Sequence, residues 1–199
     1  HWRDLGRLGT AFWVVVLLGA VFTMARFSEA FLLLRAQGTG MPAGMIPLIL
    51  VVMNVAYALV AYPMGRLSDR VGRTGPLTAG LVFLIAADVV LALADQTWQV
   101  LCGSVLWGVH MGLTQGLLAA MVADTATAPL RGSAFGIFGL ASGLAVLGGN
   151  LMVGFLWGAY GPRIAFGAGS LLAAVALAGY LLFIKLAPPL GEGETGEAQ

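Results

Sequence analysis

Two ionisable residues, Arg26 and Glu29, stand three apart inside a long apolar run. On a continuous helix that spacing makes them neighbours on one face. Gly19, Phe22, Thr23, Ala30 and Leu33 fall near the same face. Arg26 precedes Arg35 by about 13 Å of helix rise, too deep for simple snorkelling. Each charge would cost about 2.5–3.5 kcal/mol if it faced lipid, so the face is expected to turn into protein or a wet cavity. The pair reads either as a substrate-contacting or proton-coupling site, or as an ion pair that only neutralises itself. His110 lies mid-run, and its imidazole titrates near neutral pH, which suits a proton carrier or a neutral hydrogen-bonded ring. Asn54 and Tyr57, also three apart, could bond a solute or a neighbouring helix, a contact worth about 0.6 kcal/mol. Gln115 stands beside a seam of small residues. Asp88, buried in its own run, reads as a proton site or as a half-buried polar contact.

These residues need a membrane around them. Of 199 residues, 59% are hydrophobic and 10% charged, against about 25% charged in soluble domains. Six apolar runs are long enough to cross a bilayer at about 20 residues each. They are expected as single helices over 11–34, 43–63, 76–94, 98–122, 132–157 and 164–186. Residues 1–10, with Trp2, Arg3, Leu5, Arg7 and Leu8, read as an interfacial amphipathic linker. Residues 188–199 follow Pro188–Pro189 and read as a disordered, acidic, glycine-rich tail. The lone cysteine, Cys102, excludes a disulfide framework, and nothing suggests a metal site or cofactor. A net charge of +1 with charges at run ends gives no sign of nucleic-acid binding.

Small residues mark where helices approach. Ser104, Gly108, Gly112 and Gly116 recur every four residues, the spacing of a close-packing seam. Gly132, Gly136, Gly139, Gly143, Asn150 and Gly154 fall within about 40° of one line at helical period, a second packing stripe.

Between the second and third runs lies Gly65-Arg66-Leu67-Ser68-Asp69-Arg70-Val71-Gly72-Arg73-Thr74, with three arginines and one aspartate in its first nine residues. It is expected as a tight loop after a span ending at Pro63. Gly65 allows close helix approach, Gly72 a sharp turn, and Asp69 pairing with helix amides or an arginine. The arginines mark a cytoplasmic face. The stretch resembles the signature G-x-L-[AS]-D-R-x-G-R-[RK] of the major facilitator superfamily, with Thr74 departing from the final basic position. The later run Asp124 to Gly132 is similar to the family's proline followed by Arg-Gly, here Pro129, Arg131 and Gly132. Asp124 could pair with Arg131 or cap the next helix.

The resemblance implies an all-α membrane fold, a half-bundle of six transmembrane helices from a twelve-helix transporter, built from inverted three-helix repeats. It implies that spans one, two, four and five line a cavity, and that the third and sixth lie away from it. Asp69, with Arg70 and Arg73, would join a charge network that locks one state of the cycle. Arg26 would bind an anionic group or hold Glu29 ionised, while Glu29 or His110 carries a proton. Proton-coupled efflux of a small organic solute is the theme it most resembles.

Seven basic residues (Arg3, Arg7, Arg66, Arg70, Arg73, Arg131, Lys185) lie at one set of run ends and two, Arg35 and Arg163, at the other, which places both termini inside. Span four lacks an arginine, span five lacks an internal proline, and the chain starts at His1. Together these favour the second half of a bacterial inner-membrane protein whose first six-span half is missing. The other readings are a self-pairing six-span protein, a scaffold or a truncated remnant. An intramembrane serine protease needs a G-x-S-G serine. Ser142 follows Leu140-Ala141, and Ser104 follows Cys102-Gly103, so neither fits. In the complete protein Asp69→Asn is expected to slow transport at near-normal expression. Full activity would reduce the loop to a topology anchor.

Overall fold

A computed structural model of the chain describes residues 9–72, 74–114 and 116–186, the side chains of 66–71 excepted. The amphipathic linker up to residue 8, Arg73, Gln115, the tail from 187, and the side chains of Arg66, Asp69 and Arg70 therefore lie outside the described residues. In hydrocarbon a backbone must satisfy its own amides and carbonyls, and the apolar runs do so as helices. They are α1 (Thr10–Ala25), α2 (Ala30–Gly38), α3 (Leu48–Val71), α4 (Thr74–Leu93), α5 (Thr97–Thr114), α6 (Leu117–Thr125), α7 (Arg131–Tyr160) and α8 (Pro162–Leu186). No strand occurs among the described residues. The helices make six stretches long and apolar enough to span a membrane: Thr10–Gly38, Ala43–Gly65, Thr74–Leu93, Thr97–Thr125, Ala128–Tyr160 and Pro162–Leu186.

Three expectations about continuity are corrected. Span one is two helices, because α1 stops at Ala25 and α2 starts at Ala30. Span four is also two, with Gly116 between them at φ 76°, the left-handed region that glycine enters without strain. Gly116 therefore marks a break and does not pack in the seam; a side chain there would meet open space. Span two, by contrast, ends close to the expected place, at Gly65, but its helix does not stop at Pro63. It runs on through the signature residues to Val71, and the chain turns only at Gly72, φ 78°.

α5 lies between α3 and α4, α4 also packs on α8, and α1 packs on α7 and α8. Glycine sets the first contact. A Cβ on Gly108 would run into the Met53 carbonyl oxygen, and one on Gly112 would stand 2.8 Å from Val60 Cβ. The stripe on α7 behaves differently. Gly136, Gly139 and Gly143 face open space, so the packing expected of them is not made among the described residues. The contact on α7 falls further along, where a Cβ on Gly149 would stand 2.7 Å from the Met24 carbonyl oxygen.

The main core gathers around one ring. Phe27, 3% exposed, lies in the gap between α1 and α2. Its centroid is 5.3 Å from Trp107 on α5, 5.5 Å from Phe31 on α2 and 5.5 Å from Phe166 on α8. Trp157 of α7 joins through Phe31 and Phe166.

At one end of the bundle Arg35 closes α4. Its Nε donates to the Leu91 carbonyl at 2.8 Å, and Nη2 donates to the carbonyls of Ala92 and Ala94. The last carbonyls of a helix lack intrahelical donors, and a cation there also suits the helix dipole. Arg35 is buried, whereas the nearby Arg163–Asp95 pair, 3.6 Å apart, is 63% and 73% exposed. Such an exposed pair contributes about 0–1 kcal/mol, so Arg35 dominates this end. Arg35→Met is expected to destabilise the complete protein by about 1.5–3 kcal/mol, read as a lower melting temperature in detergent. An unchanged melting temperature would show that the cap contributes nothing.

Candidate functional site

The break in span one is the polar centre of the chain. α1 ends when the Arg26 amide donates to the Phe22 carbonyl at 3.1 Å and the Arg26 backbone leaves helical angles (φ −92°, ψ 68°). α2 begins with the Ala30 amide donating to Ser28 Oγ at 3.2 Å, the local bond by which serine starts helices. Between them the Ser28 amide donates to Asn150 Oδ1 of α7 at 2.8 Å. Gly149 lets α7 come close enough for that bond. Asn150 thus acts as a bridge to the break as well as a member of the α7 stripe.

Arg26 and Glu29 flank this break, so the single helix face expected for them does not exist. Arg26 stands at the C-terminus of α1 and Glu29 at the N-cap of α2. Each charge complements the dipole of its own helix, typically by about 0.3–1 kcal/mol. Both are partly exposed within an otherwise apolar surrounding. Arg26 is near enough for its charge to act on Glu29 and on His110. The structure thus brings Arg26, Glu29 and His110 into one electrostatic neighbourhood.

The other candidates are placed differently. His110 is fully buried: its Nδ1 is 2.8 Å from the Gly80 carbonyl oxygen, its ring lies 5.5 Å from Phe22, and Nε2 has no partner among the described residues. Asn54 is exposed on α3 and donates back to the Leu50 carbonyl at 2.7 Å, while Tyr57 is half-buried one turn on. Met53 and Ala56, not Asn54, face α5. Gln115 lies outside the described residues. Asp124 is exposed in the last turn of α6, and Arg131 is exposed as the first residue of α7. The N-cap of α7 is Leu130, which makes no side-chain cap of its own. Among the described residues no three His, Cys, Asp or Glu side chains converge on a metal geometry.

Asn150 and Ser28 escaped recognition as a pair, being 122 residues apart. The available signal was Ser28 just ahead of an apolar run, a helix start inside an apparent span. Asn150→Ala is expected to speed amide exchange at Ser28 and its neighbours while leaving α3–α5 unchanged. Unaltered exchange would mean that the bridge does not hold the break.

Comparison with known proteins covers almost the whole chain. Residues 11–199 match the family model of the Major Facilitator Superfamily. An uncharacterised MFS-type transporter of Methanocaldococcus jannaschii is 33% identical over 166 residues, 80% of this chain and 42% of that protein. The class B tetracycline resistance protein of Escherichia coli is 32% identical over 109 residues, 55% of this chain and 27% of that protein. The class D protein of Salmonella ordonez is 28% identical over 78% of this chain and 38% of its own length. The crystal structure of a peptide transporter, POT, with sulfate superposes with a TM-score of 0.71 at 17% identity, covering 88% of this chain and 38% of that one. The chain therefore spans less than half the length of these relatives. A six-span, all-α membrane fold of matching layout and a family match over nearly every residue lead to one conclusion: the chain belongs to the Major Facilitator Superfamily.

Proposed function

We propose that this chain is the second six-span half of a transporter that moves a small organic solute across the bacterial plasma membrane by alternating access. Both its ends lie in the cytoplasm, and the first half of the same protein is its partner. The observation that carries the reading is the broken first span, with Arg26 and Glu29 accessible at the break and Asn150 holding its backbone. Discontinuous helices with polar groups at mid-membrane are where transporters bind solutes and coupling ions. Arg26 holds an anionic group of the solute or keeps Glu29 ionised, and Glu29 carries the proton. His110, enclosed beside Arg26, is the second proton candidate. The distant tetracycline resistance proteins favour export and supply a first probe.

Everted vesicles containing the complete protein are expected to accumulate tetracycline or another amphipathic drug from a panel when a pH gradient is imposed. Collapse of the gradient with nigericin should abolish this, and Glu29→Gln should remove its pH dependence. Uptake indifferent to nigericin would sink proton coupling, and unchanged pH dependence in Glu29→Gln would move that role to His110. If no solute of the panel moved in either direction, the transport reading would fall, and a self-paired six-span assembly would be tested by mass in detergent.

A further inference from the structure

One ionisable side chain plays no part in the scheme above. Asp88 lies on α4 with 0% exposure, and neither carboxyl oxygen has a hydrogen-bond partner among the described residues. It is enclosed by this chain alone, so the enclosure does not depend on what another half covers. Two features shape its surroundings. Gly169 of α8 makes the room: a Cβ there would stand 2.7 Å from Asp88 Oδ2 and 2.6 Å from Phe27 Cε1. Phe27 lies against the same glycine, and Phe27 belongs to the break of span one. Gly169 therefore stands against both the carboxyl and the segment on which the proposed transport cycle turns. Two more buried polar atoms without partners, Trp107 Nε1 and His110 Nε2, are carried by α5, and Trp107 packs on the same Phe27 ring.

Among the described residues the neighbouring elements bring no counter-charge to Asp88. On α4 it is the sole ionisable residue. On α5, Cys102 is exposed and His110 is bound to Gly80, two turns from Asp88 along α4. On the break, Arg26 acts on Glu29 and on His110. On α2, Arg35 commits its guanidinium to the carbonyls of Leu91, Ala92 and Ala94. On α8, Arg163 pairs with Asp95 at the start of the helix, and Tyr180 and Lys185 lie three or more turns beyond Gly169. A carboxylate left ionised there would be a buried charge with neither a cation nor a donor, which is strongly disfavoured. A neutral acid has no such difficulty.

We propose that Asp88 is a proton-binding site within this half, occupied when Phe27 is seated against Gly169 and emptied when the break of span one moves and admits water to the carboxyl. The proton is then a ligand with different affinities for two arrangements of the break, which is the thermodynamic requirement for coupling. This consequence for coupling rests on the transport reading; the occupancy of the site does not.

The test uses the complete protein in liposomes and the apolar reagent dicyclohexylcarbodiimide. The reagent adds to a protonated carboxyl, and the resulting O-acylisourea rearranges to a stable N-acylurea that fragmentation mass spectrometry can locate. Near neutral pH the adduct on buried Asp88 is expected well above that on exposed Asp95, because the apolar reagent reaches enclosed sites and adds only to a protonated acid. The Asp88→Asn protein should show no adduct at that position. It should also keep the wild-type melting temperature, because the amide imitates the neutral acid. The infrared carbonyl band of a protonated carboxyl, present in the wild type and missing in Asp88→Asn, reads the same occupancy where the reagent fails to enter. Absence of both adduct and band, or a marked loss of stability in Asp88→Asn, would overturn the proposal and make Asp88 an ionised structural residue. An adduct in a protein that moves no solute would leave the site standing and the transport reading fallen.

Discussion

A backbone interrupted inside a membrane has to find partners within the protein, because hydrocarbon offers none. The break between α1 and α2 meets this constraint, and much of the fold is arranged to answer it. Asn150 supplies an acceptor for the Ser28 amide, and Ser28 supplies one for Ala30. Gly149 brings α7 against the Met24 backbone. The ring of Phe27 then fills the gap and gathers Trp107, Phe31 and Phe166 around it. A neutral asparagine suits this position better than a charged acceptor, since it satisfies an amide without bringing a new charge to be compensated.

The two broken spans hold matching places. Span one breaks after a 16-residue helix and span four after an 18-residue one, and each is the first of three spans. In a fold of inverted three-helix repeats these positions are equivalent. α3, α4, α7 and α8 are single helices. Glycine contacts at Gly108 and Gly112 lock α3 on α5, and Arg35 fixes the end of α4. The fold thus combines a tightly packed frame with two points where the backbone changes direction without tearing a packed helix face.

Much of this was legible in the residues. Apolar length placed six spans, because lipid imposes it directly. Glycine spacing found the α5 seam at Gly108 and Gly112, since close approach needs a missing Cβ. The breaks were not legible by the same route. Hydropathy measures side chains and is blind to whether amide Ser28 finds a carbonyl in its own helix. The pairing of Arg26 with Glu29 was read from helical spacing, whereas their positions are set by the ends of two helices. Pro63 misled in the opposite sense: it sits inside α3, which continues to Val71. The α7 glycines show a further limit, because spacing alone cannot say whether a stripe meets another of these helices.

The Ser28–Asn150 bond also orders events in time. Its two ends are separated by 122 residues. At about 5–20 residues per second of synthesis, Asn150 emerges roughly 6–24 s after Ser28. Until the fifth span arrives the Ser28 amide must find another acceptor, such as a carbonyl of its own helix or water. The final shape of the first span is thus completed by a helix made long after it.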